Sequence, residues 1–111
     1  GKKLAIATSS DRYLVLQALE RTGLLPMMTS VVTAAEVSRG KGFPDIYQRA
    51  AEHLGLRASD CAVYEDIIEG IRGAKAGGFL AVGVYEKQNE ENYQQIRAES
   101  DLYIHSFREL L

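Results

Sequence analysis

Tryptophan is absent from this sequence, proline occurs twice and cysteine only once. A single thiol excludes an internal disulfide, and a reducing, cytoplasmic setting is expected. No apolar run approaches the roughly 20 residues that a membrane-spanning helix needs, so no membrane partner is expected. Positive charge is not in excess either. The 13 Lys and Arg side chains stand against 15 Asp and Glu, for a net charge of −2. A nucleic-acid binder normally carries a basic surface, so no nucleic-acid partner is expected. What remains is an ordinary globular balance, 46% hydrophobic and 25% charged over 111 residues, which fits one domain.

The sequence opens at Gly1, and Leu4 is already inside an apolar run. Such a start is expected of a piece of a longer protein; a processed start or an expression scar are the other readings. Leu4 to Ala7 reads as a strand buried on both faces, as in parallel sheets. Ser9, Ser10 and Asp11 are good helix N-caps, and a helix with Val15, Leu16 and Leu19 inward should run to Gly23. Val31 to Thr33 is a brief second strand. Pro44 suits a first helical position and Asp45 the positive helix start. Tyr47, Ala50, Ala51 and Leu54 follow at helical spacing, and Gly55 closes that helix.

Cys61 to Tyr64 is a third strand leading into Glu65 and Asp66. A helix with Ile67, Ile71 and Ala74 inward should end at Gly77 and Gly78. Leu80 to Val84 and Leu102 to Ile104 are further strands. A surface helix lies between them around Tyr93 and Ile96, and a helical turn follows at the end. Strands alternating with helices predict an α/β fold, a Rossmann-like parallel sheet with helices on both faces.

In such sheets, sites form at the carboxyl ends of the strands. Thr8, Ser9 and Ser10 place hydroxyls at a strand end and helix start, where they serve either as caps or as phosphate donors. Glu65 and Asp66 are adjacent carboxylates after an apolar strand, again caps or hard oxygen ligands suited to magnesium. Lys41, between two glycines before a helix, is either a solvated loop lysine or a compact cation facing phosphate. Cys61, His53 and His105 read as packing and surface residues.

These segments, taken in order, resemble the haloacid dehalogenase (HAD) superfamily of phosphohydrolases. The likeness is to the branch with beta-phosphoglucomutase and phosphoglycolate phosphatase. Leu4-Ala5-Ile6-Ala7-Thr8-Ser9-Ser10 resembles the family's second motif, a strand ending in Ser or Thr. Gly40-Lys41-Gly42-Phe43-Pro44-Asp45-Ile46-Tyr47 is similar to the third, G-K-P-x-P-D-I-[FY]. Val63-Tyr64-Glu65-Asp66, through Gly70 to Ala74-Lys75-Ala76-Gly77, is similar to the fourth.

The resemblance implies a magnesium-dependent phosphatase or phosphomutase that turns over a small phosphorylated metabolite through an aspartyl-phosphate. It assigns Thr8 and Lys41 as catalytic, with Thr8, Ser9 and Lys41 around the phosphate. Asp66 becomes a Mg2+ ligand, and Glu65 a ligand or its partner. Gly42 stands where the family has proline, and Ile67 where it has serine. The first motif, D-x-D-G-T, which carries the nucleophile, has no counterpart here, nor does the cap domain.

In the family the strand carrying that motif lies between the strands that here end at Thr8 and Glu65. Residues 1–111 are therefore expected to be the C-terminal part of a HAD-like core, incomplete and inactive alone. The partner expected is the missing N-terminal half of the same protein. The other readings are a non-catalytic α/β module that kept the HAD-like fold, and a dehalogenase-type hydrolase. The latter needs no magnesium, which would leave the Glu65-Asp66 pair without its natural use.

Overall fold

The computed structural model describes residues 2–111. Strand and helix alternate: β1 (Ala5–Thr8), α1 (Arg12–Arg21), β2 (Ser30–Thr33), α2 (Asp45–Leu54), β3 (Ala62–Glu65), α3 (Ile68–Ala76), β4 (Leu80–Val84), α4 (Tyr93–Glu99) and β5 (Leu102–Ile104). Every strand pairing is parallel, with Thr8 opposite Thr33 and Glu65 opposite Gly83. The polar residues at positions 8 and 65 therefore both stand at carboxyl ends.

The strands form two sheets, β1–β2 and β3–β4–β5, and no ladder joins β1 to β3 among the described residues. The hole expected between the strands ending at Thr8 and Glu65 is where the sheet is interrupted. Burial follows from it. Leu4 is exposed and all four residues of β1 are only partly buried, so the strand is not covered on both faces as its apolar run predicts. A strand with one open side lacks the neighbour whose side chains would complete its cover. Tyr64 on β3 is likewise 43% exposed, and its ring rests against Phe107 from the final turn.

Local signals explain the helices. Asp11 caps α1 by accepting the Tyr13 N–H at 2.9 Å, and Leu19 is the residue α1 buries. Pro44 precedes α2 rather than opening it, a shift of one residue, with φ −77° and ψ −7° already near helical values. Gly55 ends α2 at φ +71°, a conformation that favours glycine. Ile71 and Ala74 face inward on α3 as expected, but Ile68 and not Ile67 is the first buried residue. The chain leaves β3 still extended through Ile67 (φ −119°, ψ 148°), so the helix starts later and buries Ile68.

Helix α2 lies over β1 and β2, α3 lies over β3 and β4, and the two helices touch each other. Ile46, Tyr47, Ile68, Ile71 and Ala74 from these helices meet Val32 and Ala81 in one core that spans both sheets. On the outer side, Arg72 of α3 grips Glu99 of α4 with two hydrogen bonds of 2.9 Å. No helix among the described residues is long and apolar enough to cross a membrane.

Candidate active site

Lys41 lies in the turn that leads into α2. That turn is fastened at both ends. Arg39 binds the Asp45 carboxylate through two nitrogens, at 2.8 and 3.2 Å, and its guanidinium sits 4.4 Å from the centre of the Phe43 ring. The Arg39 hydrogen bonds hold the Asp45 carboxyl below its ordinary range. The fastened turn aims Lys41 at the end of β3. Its Nζ stands 2.7 Å from Glu65 Oε2, with the two side chains only 17% and 6% exposed. Lys41 is therefore no solvated loop lysine.

The same carboxylate oxygen accepts a second donor. Tyr47 OH, from the first turn of α2, donates to Glu65 Oε2 at 2.6 Å. Burial, then the Glu65 charge, pushes the Tyr47 phenol well above its usual value of 10.0, so the hydroxyl keeps its proton and remains a donor. The other face of the carboxylate meets α3. A Cβ placed on Gly70 would stand 2.7 Å from Glu65 Oε1, inside van der Waals contact, so only glycine leaves room for this side chain. Glu65 is thus held by a cation, a phenol and a bare stretch of helix.

Asp66 follows directly, half-buried, and its backbone carbonyl accepts the Asn89 side-chain amide at 3.0 Å. Neither carboxylate caps α3: its N-cap is Ile67, which makes no side-chain cap. At the end of β1, Thr8 Oγ1 accepts the Ser10 N–H at 3.0 Å, which leaves its own O–H free to donate. Ser9 and Ser10 are exposed, and capping of α1 falls to Asp11. Among the described residues, no hydrogen bond or ion pair joins Thr8 or Ser9 to Lys41, Glu65 or Asp66. The structure thus brings Lys41 and Glu65 into contact, sets Asp66 beside them in the chain, and leaves Thr8 and Ser9 as a separate hydroxyl corner on the far side of the sheet interruption.

Tyr47, Gly70 and Asn89 are the residues that sequence reasoning did not place at the site. Tyr47 reads as a core position of an amphipathic helix, which it also is, being 3% exposed. The signal available was its hydroxyl, since a buried tyrosine needs a hydrogen-bond partner. His53 pairs with Ser30 at 2.6 Å, and His105 stacks among Tyr85, Tyr93 and Tyr103. Burial raises the Cys61 thiol above its usual range, as packing requires and reactivity does not.

The carboxylates of Asp66 and Glu65 are hard oxygen donors, the chemistry magnesium prefers. Glu65 Oε2 is already occupied by two donors, so Asp66 is the freer ligand. Among the described residues no three His, Cys, Asp or Glu side chains converge. The donors present fit magnesium in kind and would supply one or two places of its shell, which is the usual protein share for this ion.

Residues 1–78 match the family model described as haloacid dehalogenase-like hydrolase. The chain belongs to that family. It is 33% identical over 107 residues to validoxylamine A 7'-phosphate phosphatase of Streptomyces hygroscopicus subsp. limoneus, covering 96% of this chain and 48% of that protein. It is 34% identical over 86 residues to beta-phosphoglucomutase of Bacillus subtilis, covering 78% of this chain and 37% of the relative. The crystal structure of a HAD phosphatase from Thermococcus onnurineus superposes with a TM-score of 0.83 at 31% identity, over 99% of this chain and 49% of that one. The chain spans about half the length of relatives such as these, or less.

Proposed function

We propose that residues 1–111 are the C-terminal part of the core domain of a magnesium-dependent phosphatase or phosphomutase, and that the whole protein acts on a small phosphorylated metabolite. The observation that carries this reading is the withdrawn Lys41–Glu65 pair at the carboxyl end of β3, next to Asp66 and beside an interrupted sheet. A strand inserted between β1 and β3 would bring a carboxylate at its own end between Thr8 and Lys41. Phosphoryl transfer asks the protein mainly for positioning and charge neutralisation. The Lys41 ammonium, held in place by Glu65, would offset charge on the phosphoryl oxygens and on the attacking carboxylate. The Thr8 hydroxyl, together with the exposed backbone around Ser9, would donate to those oxygens.

Asp66, with Glu65 behind it, would hold the magnesium ion, which supplies further charge neutralisation when bound. The nucleophilic aspartate would come from the inserted strand. Its oxygen bonds to phosphorus as the ester oxygen leaves and takes a proton. Water then cleaves the aspartyl-phosphate, or a second hydroxyl of a sugar phosphate accepts the group. The single cysteine fits a cytoplasmic setting for this chemistry.

Sequencing the encoding gene upstream of Lys3 tests the reading. A D-x-D-G-T motif followed by a cap-sized insertion supports it. An upstream sequence that encodes no such motif supports a non-catalytic module instead.

A further inference from the structure

We propose that Tyr47 is a positioning residue of this site: its hydroxyl holds the Glu65 carboxylate in the one orientation that places the Lys41 ammonium. The inference rests on the phosphoryl-transfer reading above and adds to it a residue that does not touch the substrate.

The geometry has three parts. Glu65 Oε2 accepts both Lys41 Nζ, at 2.7 Å, and Tyr47 OH, at 2.6 Å, so one oxygen fixes two donors at once. Gly70 closes the other side of the carboxylate, with room for no side chain. Tyr47 itself is 3% exposed, and its ring meets Phe79 edge-on with ring centres 6.2 Å apart, so the phenol is anchored by the core and not by solvent. A glutamate side chain has three rotatable bonds and a lysine four. Without the phenol, Glu65 would keep only the mobile ammonium as a partner on Oε2, and the pair could drift together. With it, the carboxylate is tied to helix α2, which also packs on β1, the strand that ends at Thr8. The hydrogen bond therefore links the end of β3 to the element that supports the phosphate corner on the other side of the interruption.

Phenylalanine fills the same space and removes only the hydroxyl, so Tyr47→Phe in the full-length protein isolates this role. Orthovanadate, which mimics the five-coordinate phosphoryl group, is the probe, read as its inhibition constant against a chromogenic phosphate ester. An inhibition constant does not change when part of the enzyme is simply inactive, so it separates positioning from a folding defect. The expected result is an inhibition constant and a kcat both worse by about tenfold, the size of one hydrogen bond to a charged group, with KM changed less.

A crystal structure of the variant should show Glu65 and Lys41 displaced together from their places in the parent protein. If Lys41→Ala loses activity while Tyr47→Phe leaves kcat and vanadate inhibition within threefold of the parent, Tyr47 is structural only and the inference is overturned. If Lys41→Ala is also silent, the phosphoryl-transfer reading fails and takes this inference with it. Should Tyr47→Phe lose its cooperative melt, the unfolding of Glu65→Gln with and without it decides. The second change should cost little once Glu65 is neutral, and a full additive cost overturns the inference.

Discussion

Lys41 Nζ and Glu65 Oε2 stand 2.7 Å apart, although Lys41 lies in a turn before one helix and Glu65 ends a strand that follows that helix. The pair ties the half of the core built on β1 and β2 to the half built on β3, β4 and β5. It also puts a positive charge at a strand's carboxyl end, where the sheet is interrupted. Structure and proposed chemistry meet in this contact.

Lys41→Ala removes one partner of a nearly buried pair and leaves Glu65 charged. Such a change typically costs about 3–5 kcal/mol, and the remaining Tyr47 hydrogen bond should hold the loss to the lower end of that range. In the full-length protein, kcat for a phosphate ester should fall roughly 100- to 1000-fold, as for removal of a comparable electrostatic donor. Denaturant melts and steady-state kinetics measure the two effects. A loss of less than threefold in kcat, with the fold intact, would return Lys41 to a structural role.

Gly73→Ala should destabilise, against its helix propensity. Alanine is intrinsically better than glycine inside a helix by about 1 kcal/mol. Here its Cβ would stand 2.7 Å from the Phe43 carbonyl oxygen and 3.2 Å from Gly42 N. Those are backbone atoms of the turn that carries Lys41, so relief requires the turn to move. Urea denaturation should give a lower midpoint for the variant, and a midpoint equal or higher would show that α3 and the turn are loosely joined.

Acid should weaken the fold. The carboxyl of Glu36 is held below its ordinary value of 4.5 by the Thr33 backbone N–H, and that of Glu99 by hydrogen bonds from Arg72. A lowered folded-state pKa adds stability above the unfolded value, and that stability is lost as pH falls through the folded value. Stability should therefore hold from pH 7 to about 5 and fall below 4.5, and Glu99→Gln should flatten part of the fall. Chemical denaturation at stepped pH reads this directly.

Alkali should act through Tyr47 with the opposite sign. Its phenol is raised above 10.0 by burial and by Glu65, so the folded state keeps a proton that the unfolded state gives up. The contribution is complete below the unfolded value and falls as pH rises from there through the folded value. Tyr47→Phe should lessen the loss of stability above pH 10, and an unchanged alkaline limb would mean that the buried phenol is not the group responsible.

Much of this fold could be read from the chain. Short apolar runs bounded by Thr8, Thr33 and Glu65 announced parallel strands, and the three motif-like segments predicted an interruption between β1 and β3, where the structure has no ladder. Legibility ended where a residue's role depends on a distant neighbour. The periodicity of α2 marked Tyr47 as core but could not show that its hydroxyl meets Glu65 across 18 residues of sequence. On α3, Ile71 and Ala74 are buried as their spacing predicts, but Ile68 takes the first inward place instead of Ile67, because Ile67 stays extended at the end of the strand, a conformation that β-branched isoleucine favours. The incomplete burial of β1 was hidden because cover on a strand comes from its neighbours, not from its own side chains. Asp66 was legible as a residue type at a strand end, whereas its backbone tie to Asn89 comes from a loop more than 20 residues later.

The most direct test of the account is turnover of a chromogenic phosphate ester by the full-length protein across a magnesium titration, compared with its Asp66→Ala variant. The account predicts activity that rises with magnesium in the parent and is lost in a variant that still melts cooperatively. Equal activity with the same magnesium dependence in both proteins would contradict it.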